Sequence, residues 1–326
     1  MTSTLSAMAA FPTADWEWRG HRIRYSMSGT GAPVVLVHGF GASIGHWRKT
    51  IPALREAGYR VYALDLLGFG ASAKPNLAYS MDLWAELLAD FWQAHIAEPV
   101  VWVGNSIGGL LCLRMAADYG HTCRGVSVLN CAGGLNHRPN ELNWMQTLFT
   151  NLFRTLVAAP VIGHLIFDQI RQPERIRKTL GQVYANPDAI TDELVELLHR
   201  PALDTGAKEV FARVISAPPG PKIVDLLPAI QVPILVLWGE VDPWTPVSGV
   251  KHFEAHQERI PIRIERLADT GHCPHDDRPE LVNPILVEWL QQLEAKFKIL
   301  SEAQIDNRLP VPVDSPVAQE SGSGVL

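Results

Sequence analysis

Residues 101–111 read VWVGNSIGGLL, a run of bulky apolar residues that breaks into glycines around a single serine, Ser106. Gly104 to Gly108 match G-x-S-x-G, with a buried-strand pattern before and a helical pattern, Ile107 to Tyr119, after. In that strand–serine–helix context the motif marks a nucleophile held on a sharp, strained turn. The flanking glycines have a steric task, since only hydrogen lets neighbouring backbone pass so close to such a turn. The competing reading is a glycine-rich turn whose serine merely caps the helix. What decides between them is whether the rest of the chain supplies partners for the hydroxyl.

Outward from this stretch, Pro33–Val37 (PVVLV), Arg60–Leu64 (RVYAL), Val100–Val103 (VVWV), Gly125–Leu129 (GVSVL), Pro233–Trp238 (PILVLW) and Ile262–Leu267 read as short, nearly continuous apolar strands. Strands covered on both faces have that pattern. Helical patterns such as Met81 to Ile96 lie between most of them, and the alternation predicts a mostly parallel sheet with right-handed crossovers. Before it, Trp16, Trp18, Ile23, Tyr25 and Met27 alternate with polar residues on either side of Gly20-His21, as in a half-buried antiparallel hairpin. The alternation stops between about Gly133 and Pro228, where helices and turns predominate. The expected organisation is a core from 1 to 132, a helical cap from 133 to 228, the rest of the core from 229 to 300, and a disordered tail from 301 to 326. Within the cap, Leu142, Met145, Leu148, Phe149, Leu152, Phe153 and Leu156 give one broad apolar helix face. Thr191 to His199 begins with an N-cap and an acidic first turn.

A serine hydroxyl needs a base within reach and a carboxylate to orient that base. Both are expected downstream, in the order Ser, Asp, His. Asp242, in WGEVDPWTP, follows the strand ending at Trp238, and His272, in TGHCP, lies between the last strand and the final helix. Glu240 and Asp269 read as facing water or capping turns. His275, followed by Asp276 and Asp277, reads as a solvated helix start. The oxyanion hole needs two backbone N–H groups. Ile107, next to the nucleophile, supplies one; Phe40, in His38-Gly39-Phe40-Gly41 after the first core strand, supplies the other. His38 reads as a histidine that holds the turn. Nothing in this chemistry calls for a metal or cofactor.

The 326 residues carry 47% hydrophobic and 19% charged side chains and a net charge of -6, without a lysine/arginine block able to track a phosphate backbone. That argues against nucleic acid as a partner. The four cysteines form no CxxC pair and read as packed thiols in a reducing compartment. The start, MTSTLSAMAAFPTADW, has no secretory pattern, and whether a transit segment was removed stays open. The longest apolar stretch, Thr155 to Phe167, is about 13 residues, short of the roughly 20 a membrane-spanning helix requires.

HGFGA, DLLGFGAS, GNSIGG, WGEVDPWTP and TGHCP resemble the α/β-hydrolase superfamily, over nearly all of residues 31 to 290. The resemblance implies the α/β-hydrolase fold, a mostly parallel central sheet with helices on both faces and an inserted helical cap. A serine at position 106 argues against the relatives with an aspartate nucleophile, the haloalkane dehalogenases and epoxide hydrolases. Within the superfamily the chain most resembles the chlorophyll dephytylases of plants and their cyanobacterial relatives, through DLLGFGASAKP, GNSIGGLL, ITDELVELLHRPALDTGAKEVF, DLLP, WGEVDPWTP and GHCPHDDRPELVNP. This resemblance implies hydrolysis of the phytyl ester of chlorophyll-type pigments, a cytoplasmic or stromal location, and peripheral contact with a thylakoid membrane through the cap. Trp144, Phe149 and Phe153, on the cap helix from Leu142 to Leu156, are the candidate pigment contacts, beside the competing reading, the commoner one for an amphipathic helix, that this face packs on the core. Three alternatives stand beside it: hydrolysis of carbon–carbon bonds in ring-fission products, hydrolysis of other long-chain esters, and a non-catalytic pigment- or lipid-binding protein. In the carbon–carbon hydrolases the base is generally followed by tryptophan, whereas Cys273 follows His272 here.

Overall fold

The computed structural model describes residues 12–135, 155–157 and 159–306. Eight strands form one sheet: β1 Thr13–Trp18, β2 His21–Ser28, β3 Pro33–Val37, β4 Arg60–Leu64, β5 Val100–Asn105, β6 Cys123–Leu129, β7 Ile234–Gly239 and β8 Ile262–Leu267, in spatial order β1-β2-β4-β3-β5-β6-β7-β8. The first two ladders, β1 with β2 and β2 with β4, are antiparallel, and every later one is parallel. The turn of the β1–β2 hairpin places both Arg19 (φ 50°) and Gly20 (φ 77°) in the left-handed region. A two-residue I′ turn demands that.

The expected apolar strands become the centre of the sheet, with β3, β5 and β7 buried along their whole length. Two expectations need correcting. β8 is an edge strand, mostly half-buried, and its Arg263 pairs with Glu265 (2.8 Å) and Glu288 (3.2 Å). An edge has a neighbour on one side only, so charge is tolerated there and guards against further pairing. In the hairpin, Met27 is exposed while Ser26 and Ser28, alternating with it on the opposite face where β2 pairs with β4, are buried.

Helices α1 Thr50–Glu56, α2 Met81–His95 and α3 Ile107–Asp118 connect the early strands. α3 lies directly on the sheet. A methyl at Gly108 would stand 2.1 Å from the carbonyl oxygen of Val37, and one at Gly104 would stand 2.3 Å from the backbone of Gly108. These glycines let helix and strand backbones touch, and so bring the start of α3 to the C-terminal ends of β3 and β5.

Between β6 and β7, α4 Pro160–Ile170, α5 Pro173–Val183, α6 Asp192–His199 and α7 Ala207–Ser216 follow one another without a strand among the described residues. α6 starts as its sequence predicts: the Thr191 hydroxyl accepts the Leu194 N–H at 3.1 Å, and Asp192 and Glu193 occupy the first turn. Two small cores hold this insertion. One, around Val157, Phe167, Ala207 and Phe211, joins α4 to α7; the other, around Leu180, Val183, Tyr184, Leu194 and Val195, includes Cys273. Residues 142–154 of the expected cap helix, with Trp144, Phe149 and Phe153, lie outside the described residues. The described residues up to Glu288 form one compact unit; a second begins at Trp289 within the last helix, α8 Pro279–Asp306. α8 therefore runs six residues past the expected boundary at 300, and residues 307–326 are outside the described part.

Candidate active site

Ser106 sits between β5 and α3 with φ 58° and ψ -121°. A non-glycine residue is held in such a conformation at a cost of about 1–3 kcal/mol, so the surroundings must impose it. They do: the Ser106 N–H donates to the Leu129 carbonyl at 3.0 Å, and its carbonyl accepts the N–H groups of Leu110 (3.2 Å) and Ala132 (3.1 Å). Asn105 and Ile107 on either side are buried, and Ser106 itself is half-buried.

The loop after β3 passes over this turn, and a methyl at Gly39 would stand 3.2 Å from Cβ of Ser106. His38 shapes the loop. Its Nε2 accepts the Leu66 N–H at 3.0 Å, so Nδ1 carries the proton that it donates to the Gly39 carbonyl at 2.7 Å. Burial pushes this imidazole down to about 4. Asp65 braces the loop's far end by accepting the Ile44 N–H at 2.7 Å. Phe40 is thereby carried past the serine, its ring 40% exposed and set between Phe69 (5.5 Å) and Phe211 of α7 (6.2 Å). Ile107 is the first residue of α3, and the leading N–H groups of a helix have no acceptor within it. The positive end of the helix dipole adds to what they offer an anion.

Asp242 and His272 meet. Oδ2 of Asp242 is 2.6 Å from Nδ1 of His272, and both residues are buried. The carboxylate also accepts the Trp244 N–H (2.7 Å), Nδ2 of Asn130 (2.8 Å) and the Thr245 hydroxyl. Burial pushes this carboxyl up, but the bond to and charge of His272, with Thr245 and the Trp244 N–H, outweigh it and hold the group below the usual carboxylate range. An acceptor so placed keeps the imidazole proton on Nδ1 and leaves Nε2 as the basic nitrogen. The loop of His272 is tied to the serine turn through Asn105, whose Nδ2 donates to the His272 carbonyl at 2.8 Å and to Leu129 O at 3.1 Å.

Asn105, Asn130 and Thr245 are absent from the sequence reading of the site, and so is Trp244. The Trp244 ring is 42% exposed and 5.3 Å from the imidazole of His272. Asn130 follows β6 directly, with φ 41°, and also exchanges hydrogen bonds with the backbone of Gly239. Its position just past the C-terminal end of a predicted strand was the available signal. His275, Asp276 and Asp277 depart furthest from expectation, since all three are buried. Asp276 is paired with Arg48 (3.0 Å) and accepts the Tyr184 hydroxyl (2.8 Å), while the His275 ring lies 4.1 Å from that of Trp47.

The sequence profile described as the alpha/beta hydrolase family matches residues 34–285. The chain belongs to the alpha/beta hydrolase family. Among curated relatives it is 30% identical to the chloroplastic pheophytinase of Arabidopsis thaliana over an alignment 329 positions long, gaps included, that covers 86% of this chain and 66% of that protein. It thus spans just under two thirds of that relative. It is 40% identical to 2-hydroxy-6-oxo-6-(2'-aminophenyl)hexa-2,4-dienoic acid hydrolase of Metapseudomonas resinovorans over 118 residues, 35% of this chain and 40% of that one. Among solved structures a membrane phospholipase A, a bacterial virulence factor, superposes with a TM-score of 0.73 at 26% identity, covering 90% of this chain and 92% of that one. Among the described residues of this hydrolase no helix is long and apolar enough to cross a membrane.

Proposed function

We propose that this alpha/beta hydrolase is a serine carboxylic ester hydrolase that removes the phytyl chain from chlorophyll-type pigments. The observation that carries the chemistry is the His272–Asp242 contact at 2.6 Å, on a loop tied through Asn105 to the strained serine turn. Nε2 of His272 takes the proton of Ser106, and Oγ attacks the ester carbonyl. The N–H groups of Phe40 and Ile107 receive the charge that develops on the carbonyl oxygen. His272 then returns the proton to the departing alcohol, and water releases the acid from the acyl-enzyme by the same route. Asp242 holds the imidazole throughout.

The substrate class rests on the likeness to pheophytinase, which extends through the insertion as well as the core. Physical chemistry agrees. A phytyl group has about 20 carbons, and at roughly 0.8 kcal/mol per CH₂ its passage through water would cost more than most sites can return, whereas passage from lipid to an apolar pocket is nearly neutral. Such an enzyme works against a membrane, and Ile162, Leu165 and Ile170 of α4 present apolar side chains to solvent from the insertion. On this reading the insertion is the cap. The half-exposed rings of Phe40 and Trp244 are suited to a flat macrocycle, and the partner is the pigment ester itself.

A second reading, carbon–carbon bond hydrolysis, draws on the 40% identity over 118 residues to the aminophenyl-hexadienoic acid hydrolase. One experiment separates the two. The purified protein is incubated with chlorophyll, pheophytin, short nitrophenyl esters and a ring-fission product, and freed acids are followed by chromatography. Phytol release by the wild type, lost in Ser106→Ala with pigment binding retained, is the expected result. Cleavage of the ring-fission product alone would transfer the chain to the second class.

A further inference from the structure

The loop of His272 is fastened to the insertion by a carboxylate outside the proposed triad. Asp277 is buried, and its two oxygens take three backbone N–H groups: Gly271 (2.7 Å) from the histidine loop, and Ala185 (3.0 Å) and Asn186 (2.9 Å) from the segment after α5. A buried carboxylate with three such donors is satisfied, and bonds of this charge-assisted kind are the strong ones. The same two strands of chain meet again beside it. The His272 N–H donates to the Val183 carbonyl at 2.7 Å, and a methyl at Gly271 would stand 2.0 Å from that oxygen. The Tyr184 hydroxyl donates to Asp276, and Cys273 packs among Leu180, Val183 and Leu194. His272 is therefore held at its N–H by the insertion, at its carbonyl by Asn105, and at its ring by Asp242.

We propose that Asp277 is a positioning residue that couples the insertion to His272, so that the placement of the imidazole depends on the seating of the Val183–Asn186 segment. The inference rests on the serine hydrolase reading for its catalytic consequence, but the coupling itself does not. Asp277 touches no reacting atom; it acts by fixing the backbone from which the ring projects. Misplacing a reacting group by about 1 Å can cost on the order of a hundredfold in rate.

Two variants test it from opposite sides. Asp277→Asn turns an amide NH₂ toward at least one backbone donor. Ala185→Pro breaks the same fastening from the insertion side: it deletes one donor and sets ring Cδ where the N–H pointed at Oδ2 of Asp277, so that the two segments must part; Tyr184, at ψ 132°, already has the extended backbone a following proline requires. In protein folded by circular dichroism, with active sites counted by a fluorophosphonate, kcat for a short nitrophenyl ester should fall roughly tenfold or more in Asp277→Asn and roughly threefold or more in Ala185→Pro, with KM within about twofold. Wild-type kcat in both would overturn the proposal, and if Asp277→Asn does not fold, Ala185→Pro decides.

Amide exchange supplies the arm that needs no activity. His272 N–H bonds to Val183 and not to Asp277, so its protection should drop in Asp277→Asn together with that of Ala185 and Asn186. Undiminished protection at His272 would refute the coupling. A wild type that hydrolyses no ester and resists the fluorophosphonate would instead refute the hydrolase reading, with the exchange result still judging the coupling.

Discussion

Asp242 receives Nδ1 of His272 at 2.6 Å while the Trp244 N–H, Asn130 Nδ2 and the Thr245 hydroxyl converge on the same carboxylate. Four donors on two oxygens fix the carboxylate before they fix the ring. The geometry therefore selects one imidazole tautomer, with Nε2 free to accept.

Asp242→Asn keeps the size of the side chain and reverses that selection. An amide nitrogen turned toward His272 would ask Nδ1 to accept, moving the proton to Nε2, the nitrogen that the proposed mechanism needs as its base. The expected outcome is a loss in kcat of roughly 10³- to 10⁴-fold with KM little changed, the scale such a tautomer error carries in serine hydrolysis. Steady-state kinetics on a nitrophenyl ester measure it, and a loss under tenfold would mean Asp242 does not orient the base.

The strained turn at Ser106 and the Asp242–His272 contact could be read from sequence because β5 and β7 end in apolar runs with Ser106 and Asp242 just past them. Asn105 and Asn130 sit at such ends too, yet their partners, His272 and Asp242, come from residues 167 and 112 positions away. The sheet order makes neighbours of β6 and β7, and so of Asn130 and Asp242, while the loop after β8 reaches back over two strands to meet Asn105. The HDD run after Pro274 misled for a related reason. Three polar residues in a row look solvated until the fold brings Arg48 and Tyr184 to Asp276 and two amides of the insertion to Asp277. The alternation of strands and helices was legible because parallel strands are apolar throughout, and edge strand β8 was misjudged where that rule lapses.

Glycine positions separate into those the fold cannot change and those it leaves open. Gly108→Ala would drive a methyl to 2.1 Å from the Val37 carbonyl, backbone against backbone, and should destabilise by about 3 kcal/mol or more, or prevent folding. Gly181, in α5, has nothing within 4 Å of the same methyl. Gly181→Ala should instead stabilise by about 1 kcal/mol through helix propensity alone. Urea midpoints compare them, and equal shifts would contradict the packing of α3 on the sheet.

Acid should unfold the protein early. Burial pushes His38 and His46 down to about 4, and His275 well below the ordinary range, so between pH 6.5 and 4 the unfolded chain binds three protons at these sites that the folded chain refuses. Stability from this source is complete above pH 6.5 and is lost as pH falls, at about 3 kcal/mol each for His38 and His46 by pH 4. Asp65 acts in the opposite sense: burial raises it to about 6 against the N–H bonds of Ile44 and Ala71, so the folded state keeps a proton that the unfolded state releases. The net is about two protons, or roughly 3 kcal/mol per pH unit, between pH 4.5 and 6. Urea unfolding at half-unit steps measures this slope, which His46→Gln should reduce by about one proton; a flat profile from pH 6.5 to 4.5 would contradict it.

Strain at Ser106 gives the last test, because it opposes stability to function at one residue. With φ 58° and ψ -121°, any side chain with a Cβ is held there at about 1–3 kcal/mol, and glycine is not. Ser106→Gly recovers that strain and gives back about 0.5–1 kcal/mol to the extra freedom of the unfolded chain. It should melt roughly 2 °C above Ser106→Ala, which keeps the Cβ, while both lack turnover. Calorimetry of the two variants isolates the backbone term, since neither has a hydroxyl. Ser106→Gly melting at or below Ser106→Ala would mean that the turn is not strained, and with it would go one physical support for the proposed nucleophile between these glycines.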